Sequence, residues 1–481
     1  MKPIFEEERK FLKEYGIEVP QNCWRKGSKI YANGDDDFPL IEFKVDELNN
    51  KIIIKKSLIE SIEDNKVHIK GVYRGKKLDK TLEIKTYEEE IKEHEDKLEE
   101  LLKQTIKTTV EYLNSHLDYE YLISISGGKD STVMNYIFIN FIKDKLTNKK
   151  YKYIGFNTTN DTADTYKQMY KEGLKKEDII TPVITFNKTD EEDNKIKIEK
   201  TMGWHQWIKE IKNYWIPNSL KRSCCSTFKE GQVKRIQDKN KKYVTLLGVR
   251  KYESVKRAFY EFDIRKAYET AGKNYNMPNI WERIAPICYW TDYEVWLYIL
   301  RETKKGTMTI NPMYYKGFNR CGCLICPYNS DYVDLLIKKY YPHLWNKWEE
   351  TLKKNYEVKN VEKRLKWSLK EYICGKWKTG LSKEYEIITK KKTEERIAEL
   401  SKIKGITIKM AEKYWNNICR CGKHMSPDEI AMFYKMYGRK ENEIDNREIL
   451  CKECLCEDLG ITKKEYSQKI IEFRNQGCDL F

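Results

Sequence analysis

Tyr121–Thr132 reads YLISISGGKDST. An apolar run of strand character stops at a glycine pair, then continues into STVMNYIFINFIKDKL, where Val133, Ile137 and Phe141 fall on one side of a helix. A strand that ends in Ser-Gly-Gly at a helix N-terminus presents backbone N–H groups with no intrahelical partner, and such groups bind anions. Glycine allows close backbone approach to a pyrophosphate and a positive φ. Lys129 adds a point charge, and Ser126 and Ser131 add hydroxyl donors. A Walker A loop is excluded, because it needs four residues between its first Gly and the Gly-Lys pair. The stretch predicts a phosphate site at the end of a strand.

Outward from this turn the chain repeats strand, turn and helix. YKYIGFNT, IITPVITFN and YVTLLGVR read as further strands; DTYKQMYKEGL and MGWHQWIKEIKNYW read as helices. Alternation of this kind predicts an α/β fold with a doubly wound, mainly parallel sheet. Thr291 and Glu294 form a capping box for the helix in RIAPICYWTDYEVWLYIL. Before the sheet, IEFKVDEL, NKIIIKKSL, NKVHIKGVY and KTLEIKTY are short β-type runs, and one long helix follows them. The expected organisation is a β-rich module at 1–90, a connecting helix at 91–118 and the nucleotide domain at 119–345. A lysine-rich helical region at 346–415 and a Cys-rich module at 416–481 complete it.

The 481 residues are enough for two to four domains, and 34 Tyr with 12 Trp argue against disorder. The net charge of +16 suits a polyanionic partner, or equally a lysine-rich composition spread over every surface. No stretch approaches the roughly 18 apolar residues of a membrane span, and MKPIFEEERKF lacks the apolar segment of a secretory signal. With 14 cysteines this predicts a cytoplasmic protein whose thiols are reduced or bind metal, with no membrane partner.

SGGKDS resembles the loop of the PP-loop ATP pyrophosphatases. FNTTNDTADTY, GVRKYESVKRA, APICYWTDYEVWLYI and NPMYYKGFNRCGCLICP resemble, in order, segments of the phosphoadenosine phosphosulfate (PAPS) reductases and their relatives. The likeness spans about 120 to 345 and leaves both ends of the chain uncovered. It implies that ATP binds with Mg²⁺ and is cleaved between its α and β phosphates. Ser126, Gly127, Gly128, Lys129, Asp130 and Ser131 would hold the pyrophosphate, with Asp130 a candidate Mg²⁺ contact, and Ser124 would lie near the adenine. Arg250, Lys256 and Arg257 would meet anionic groups, Glu253 pairing one of them. The candidate catalytic residues are Lys129, Asp130, Arg250 and Cys321.

RSCCSTFK and RCGCLICP resemble the ligand arrangement of the iron–sulfur-bearing adenylylsulfate reductases, which implies a [4Fe–4S] cluster on Cys224, Cys225, Cys323 and Cys326. Zinc is the alternative for four thiolates, although adjacent cysteines are awkward for a tetrahedral structural site. Cys321 is a fifth candidate, as a replacement ligand or a free sulfur acceptor. Cys419, Cys421, Cys451 and Cys454 read as a structural zinc site, with Cys456 spare and His424 nearby; reduced core cysteines are the alternative. Cys23, Cys288, Cys374 and Cys478 read as ordinary thiols, and His205 as a packed histidine.

An intact loop beside an iron–sulfur cluster resembles the ATP pyrophosphatase subunit of DNA phosphorothioation systems and the cluster-dependent tRNA thiolases. The implied reaction adenylates a substrate oxygen for sulfur insertion into DNA or tRNA. The implied partners are a sulfur-donor protein such as a cysteine desulfurase, and other modification or defence subunits. The alternatives are a PAPS or adenylylsulfate reductase that releases sulfite, and a non-catalytic nucleotide-binding subunit.

Overall fold

The computed structural model describes residues 1–481 except 37, 74, 190–194, 220–221, 234, 237, 239, 255–256, 276, 278–280, 380–392, 396, 400, 403–404, 410, 413–418, 420, 422, 424, 438–449 and 476–481. Lys256, His424 and Cys478 therefore lie outside the described residues.

The central sheet has the order β11-β10-β9-β14-β15, from β9 (Tyr119–Ser124), β10 (Tyr151–Phe156), β11 (Ile179–Ile180), β14 (Lys242–Leu246) and β15 (Trp281–Ile284). Every pairing in it is parallel. After β9 the chain builds outward on one side to β10 and β11, then crosses back to place β14 on the other side of β9. A crevice opens at the carboxyl end of β9, where the winding reverses. Strand alternation supplies both faces: Tyr121 and Ile123 join a large core with Leu98, Val133 and Val295, while Leu122 joins a smaller one with Ile154, Tyr243 and Trp281. The capping box forms as expected, with Thr291 accepting from the Glu294 N–H and Glu294 accepting from the Thr291 N–H.

Three sequence expectations are corrected. IITPVITFN does not continue the main sheet. Only Ile179–Ile180 pairs with β10, and the rest forms β12 (Val183–Thr189), antiparallel to β13 (Lys195–Thr201). The long connecting helix breaks at His94 into Tyr87–Glu93 and Glu95–Asn114. The helix expected through Trp215 ends at Glu210, before Asn213 and Tyr214 take φ of 43° and 60°. Strand β15 escaped the sequence reading, because a four-residue run with two charges lacks a clear period.

The N-terminal β-type runs form two antiparallel sheets. β1 (Lys2–Pro3), β2 (Trp24–Lys26), β3 (Lys29–Tyr31), β4 (Ile41–Asp46) and β5 (Lys51–Ser57) make the first; β6 (Ile59–Glu63), β7 (Lys66–Tyr73) and β8 (Lys76–Glu83) make the second. Phe11, Ile30 and Phe43 share one core with Tyr332, Leu336 and Trp348 of the helices Asp331–Tyr340 and Pro342–Val358. At the join a buried Arg25 donates to Glu8 at 2.5 Å, to the Gly317 carbonyl at 2.6 Å and to Asn319 at 2.7 Å, and lies over the Tyr332 ring at 4.4 Å. Lys2 pairs with the same Glu8. Among the described residues no helix is long and apolar enough to cross a membrane.

Removing one partner of a fully buried pair leaves the other charge stranded. Arg25→Met is therefore expected to lower unfolding free energy by about 3 kcal/mol or more. Arg9→Met, at a half-exposed pair with Glu6, should cost under about 1 kcal/mol. Urea denaturation midpoints of the two variants check the contrast.

Candidate active site

The loop predicted to hold phosphate lies at the winding reversal. Ile125 still donates to the Ile154 carbonyl at 2.9 Å, after which the chain leaves the sheet. Gly127 takes φ 66°, and a Cβ there would come within 2.8 Å of the Thr165 carbonyl oxygen, so both conformation and space demand glycine. The helix Lys129–Ile137 begins at Gly128, which as a glycine has no side chain to cap the first turn. Ser131 closes the loop: its hydroxyl accepts from the Ser126 N–H at 3.2 Å, donates to the Gly128 carbonyl at 2.9 Å and lies 2.9 Å from the Ser126 hydroxyl. Gly248, just beyond β14, presses on the same turn; a Cβ there would sit 2.6 Å from the Ser131 nitrogen.

Two carboxylates hold the loop's cations. Lys129 Nζ lies 2.8 Å from Asp130 and 3.0 Å from Asp292. Arg250 reaches the same two acids, Nε to Asp130 at 2.6 Å and Nη2 to Asp292 at 2.5 Å. Burial alone would raise both carboxyl pKa values, but Lys129 and Arg250 hold Asp130 below the usual range and Asp292 well below it. Both cations are buried and line one cavity beside the loop. Asp292 was missed in the sequence, where its place in the first turn of a helix reads as ordinary capping.

The NPMYYKGFNR segment clamps the loop from the opposite side. Asn311, fully buried, donates to the Gly127 carbonyl at 3.2 Å, and the Lys129 N–H donates to the Tyr314 hydroxyl at 2.8 Å. Neither role had a signal beyond the residues' presence in a family segment.

These groups line a cavity of about 540 Å³. Ser126, Gly128, Lys129, Asp130 and Ser131 form one wall, and Arg250, Arg257 and Cys321 complete the set brought together from the sequence candidates. Ser124, at the end of β9, and Gly127 are not among the lining residues. Arg257 pairs with Glu253, and burial lowers its pKa. Burial raises the pKa of the Cys321 thiol, which lies beside the Tyr314 hydroxyl. Cys321 thus belongs to the phosphate loop's cavity.

The other core cysteines occupy two neighbouring loops. Cys323 donates to the Thr158 hydroxyl at 3.5 Å, and Asn160 holds the backbone of Leu324 and Ile325 through bonds of 2.6–3.2 Å. Leu324 and Ile325 are buried, so the Cys-x-x-Cys turn is pinned by its own middle residues onto the loop after β10. Arg222 lies over the Tyr328 ring at 4.8 Å and Tyr328 donates to the Ser219 carbonyl at 2.7 Å, tying the Cys224–Cys225 loop to it. The Cys224 thiol donates to Cys225, which lowers the Cys225 pKa to about 6, while Cys225, burial, Cys323 and Cys326 together push Cys224 up. The two loops are close enough for Cys323 and Cys326 to act on Cys224, and no three of the four sulfurs lie mutually within 4.8 Å among the described residues.

Near the C-terminus the picture is tighter. Cys419, Cys421, Cys451 and Cys454 bring their sulfurs within 4.8 Å of one another, with Cys421 and Cys451 at 3.7 Å and the Cys451 N–H donating to Cys419 at 3.0 Å. Cys451 and Cys454 begin the helix Lys452–Leu459, where the helix dipole favours thiolates. Cys456 is buried outside this group. His205 is a packed histidine, edge-on to Trp204, with its pKa lowered to about 4 by burial. Cys23 and Cys288 are buried and Cys374 is half-buried.

Residues 120–329 match the phosphoadenosine phosphosulfate reductase domain. Two uncharacterized proteins of Methanocaldococcus jannaschii, MJ0066 and MJ0973, are 29% and 28% identical over 53% and 58% of this chain. The matched regions are 45% and 59% of those relatives, so the chain spans about half their length. A PAPS reductase from Candida auris in a phosphate complex overlaps 47% of this chain and 93% of its own, at 14% identity and a TM-score of 0.29. The U34-tRNA thiolase NcsA from Methanococcus maripaludis with its [4Fe–4S] cluster overlaps 55% and 81%, at 16% identity and a TM-score of 0.24. Overlaps at these scores decide nothing about chemistry.

Gly248→Ala forces a methyl group against backbone with no flexible neighbour to yield. The expected cost is about 1–3 kcal/mol, together with a loss of nucleotide affinity as the Asp130–Ser131 turn is displaced. Thermal unfolding and ATP titration calorimetry check both effects.

Proposed function

Since residues 120–329 are a PAPS reductase-like domain of the PP-loop superfamily, we propose that the protein is an ATP pyrophosphatase that adenylates a substrate oxygen so that sulfur can replace it, with a nucleic acid as substrate. The observation that carries this reading is the sharing of one cavity by Lys129, Asp130, Arg250 and Cys321. A nucleotide-activating loop and a thiol in one chamber suit activation followed by sulfur attack.

The helix N-terminus at Gly128 and the side chains of Lys129 and Arg250 take the triphosphate. Asp130 and Asp292 hold those cations in place before ATP arrives, so little reorganisation is needed when charge builds on the phosphates. The substrate oxygen attacks the α-phosphorus and pyrophosphate leaves, with Mg²⁺ sharing the charge. A sulfur nucleophile then attacks the atom that bears the adenylated oxygen. The bond to sulfur forms, the bond to that oxygen breaks, and AMP departs. Cys321 is the residue placed to present sulfur, as a persulfide charged by a donor protein such as a cysteine desulfurase. Its outer sulfur attacks, and an external dithiol then reduces the resulting Cys321–substrate disulfide by two electrons to free the thiolated product and the Cys321 thiol.

Cys224, Cys225, Cys323 and Cys326, four soft thiolate donors on two adjoining loops, would hold a [4Fe–4S] cluster. When bound, such a cluster supplies sulfur or electron chemistry next to the cavity. The C-terminal group fits zinc: four Zn–S bonds of about 2.3 Å give a tetrahedral edge of about 3.8 Å, against the 3.7 Å between Cys421 and Cys451. The reductase alternative needs no ATP cleavage and yields sulfite from PAPS with thioredoxin; the intact Lys129–Asp130 loop favours the pyrophosphatase.

Lys129→Ala should lose at least about 100-fold in ATP–pyrophosphate exchange measured with bulk nucleic acid present. Cys321→Ser should keep the exchange and lose thiolated product by mass spectrometry. Full exchange in the Lys129 variant contradicts the proposal. Elemental analysis of Cys451→Ser should show less than one zinc per chain, with exchange retained; unchanged zinc content contradicts the C-terminal site.

A further inference from the structure

The cavity has a second wall that the family match does not cover. β2 contributes Arg25 and Lys26, so the N-terminal sheet faces the phosphate loop across the cavity. Seven cationic side chains line the cavity against three carboxylates. They sort by depth. The buried and half-buried ones are paired: Lys129 and Arg250 with Asp130 and Asp292, Arg25 and Lys2 with Glu8, and Arg257 with Glu253. The two exposed ones at the mouth, Lys26 and Arg320, make no ion pair or side-chain hydrogen bond among the described residues.

Their mutual placement is fixed. Arg25 holds the Gly317 carbonyl and the Asn319 side chain, so the backbone that carries Lys26 is stapled to the backbone that carries Arg320. Arg320 in turn precedes Cys321, the thiol in the cavity. A buried arginine that positions two unpaired cations beside a thiol is more than a charged surface requires.

We propose that Lys26 and Arg320 clamp a backbone phosphodiester of a nucleic-acid strand, so that the substrate's reacting atom lies between Cys321 and the phosphate loop. This rests on the reading that the deep wall takes ATP. A cavity of about 540 Å³ is in the range that one small-molecule ligand fills, so ATP on the deep wall leaves chiefly the mouth. A strand reaching in from solvent needs only the mouth, which is where the free cations are.

The test uses the full chain and a labelled 15-nucleotide single strand, as RNA and as DNA, in fluorescence anisotropy over a salt series without ATP. Lys26→Ala/Arg320→Ala should weaken binding of at least one strand about tenfold. The slope of log affinity against log salt should fall by about 0.7 per residue removed, while ATP affinity by calorimetry stays at the parent value. Lys10→Ala/Lys13→Ala, on the solvent face of the helix Glu6–Glu14, should leave the slope nearly unchanged. Three results would overturn the proposal: an unchanged slope in the Lys26/Arg320 variant, an equal fall in the Lys10/Lys13 variant, or a matching loss of ATP affinity. Weakened binding of adenosine 3′,5′-bisphosphate with strand binding intact would also overturn it, by identifying the second anion as a small molecule. If the parent binds no ATP while the strand result holds, the phosphodiester clamp stands and the nucleotide reading falls.

Discussion

The structure depends on a crowding constraint at the carboxyl end of β9. Two neighbouring strands, β10 and β14, flank it, and the first helix must start within five residues of the strand's last residue. Only glycine fits at 127, against the Thr165 carbonyl, and only glycine fits at 248, against Ser131. The result is a helix N-terminus at a crevice, with no cap from its own Gly128 and, among the described residues, only the Lys129 N–H taken up, by the Tyr314 hydroxyl. An anion is the natural occupant of such a place.

Around that turn the molecule arranges charge before any ligand is present. Asp130 and Asp292 bridge Lys129 and Arg250 at 2.5–3.0 Å, an arrangement drawn from three separate parts of the chain. Buried acids are costly alone, so these stabilise the cations and are stabilised by them. The triphosphate of the proposed reaction would meet cations already oriented. The second layer of support comes from Asn311 and Tyr314, and the third from Arg25, which carries the influence of the N-terminal sheet into the same cavity.

Much of this was legible in the sequence. The glycine turn announced a tight strand-to-helix loop bearing lysine and hydroxyls, and alternating strands and helices announced the parallel sheet. Cysteine spacing announced the C-terminal group, since two close pairs thirty residues apart can converge only if the chain folds back on itself. What stayed hidden were contacts between distant segments. Asp292 reads as a helix-start acid, and Arg25 and Lys26 read as ordinary basic residues in a short strand. Their meaning arises only when the N-terminal sheet packs on the helices at 331–358. The β12–β13 hairpin was misread because VITFN has the composition of a core strand, whereas its partner lies along the chain in KIKIEKT.

The central claim is that the oxygen replaced by sulfur is first joined to AMP. Isotope tracing tests it most directly: substrate labelled with ¹⁸O at the position to be thiolated is turned over with unlabelled ATP, and the AMP is analysed by mass spectrometry. The account predicts one ¹⁸O atom in each AMP released per sulfur inserted. Thiolated product accompanied by unlabelled AMP would contradict it.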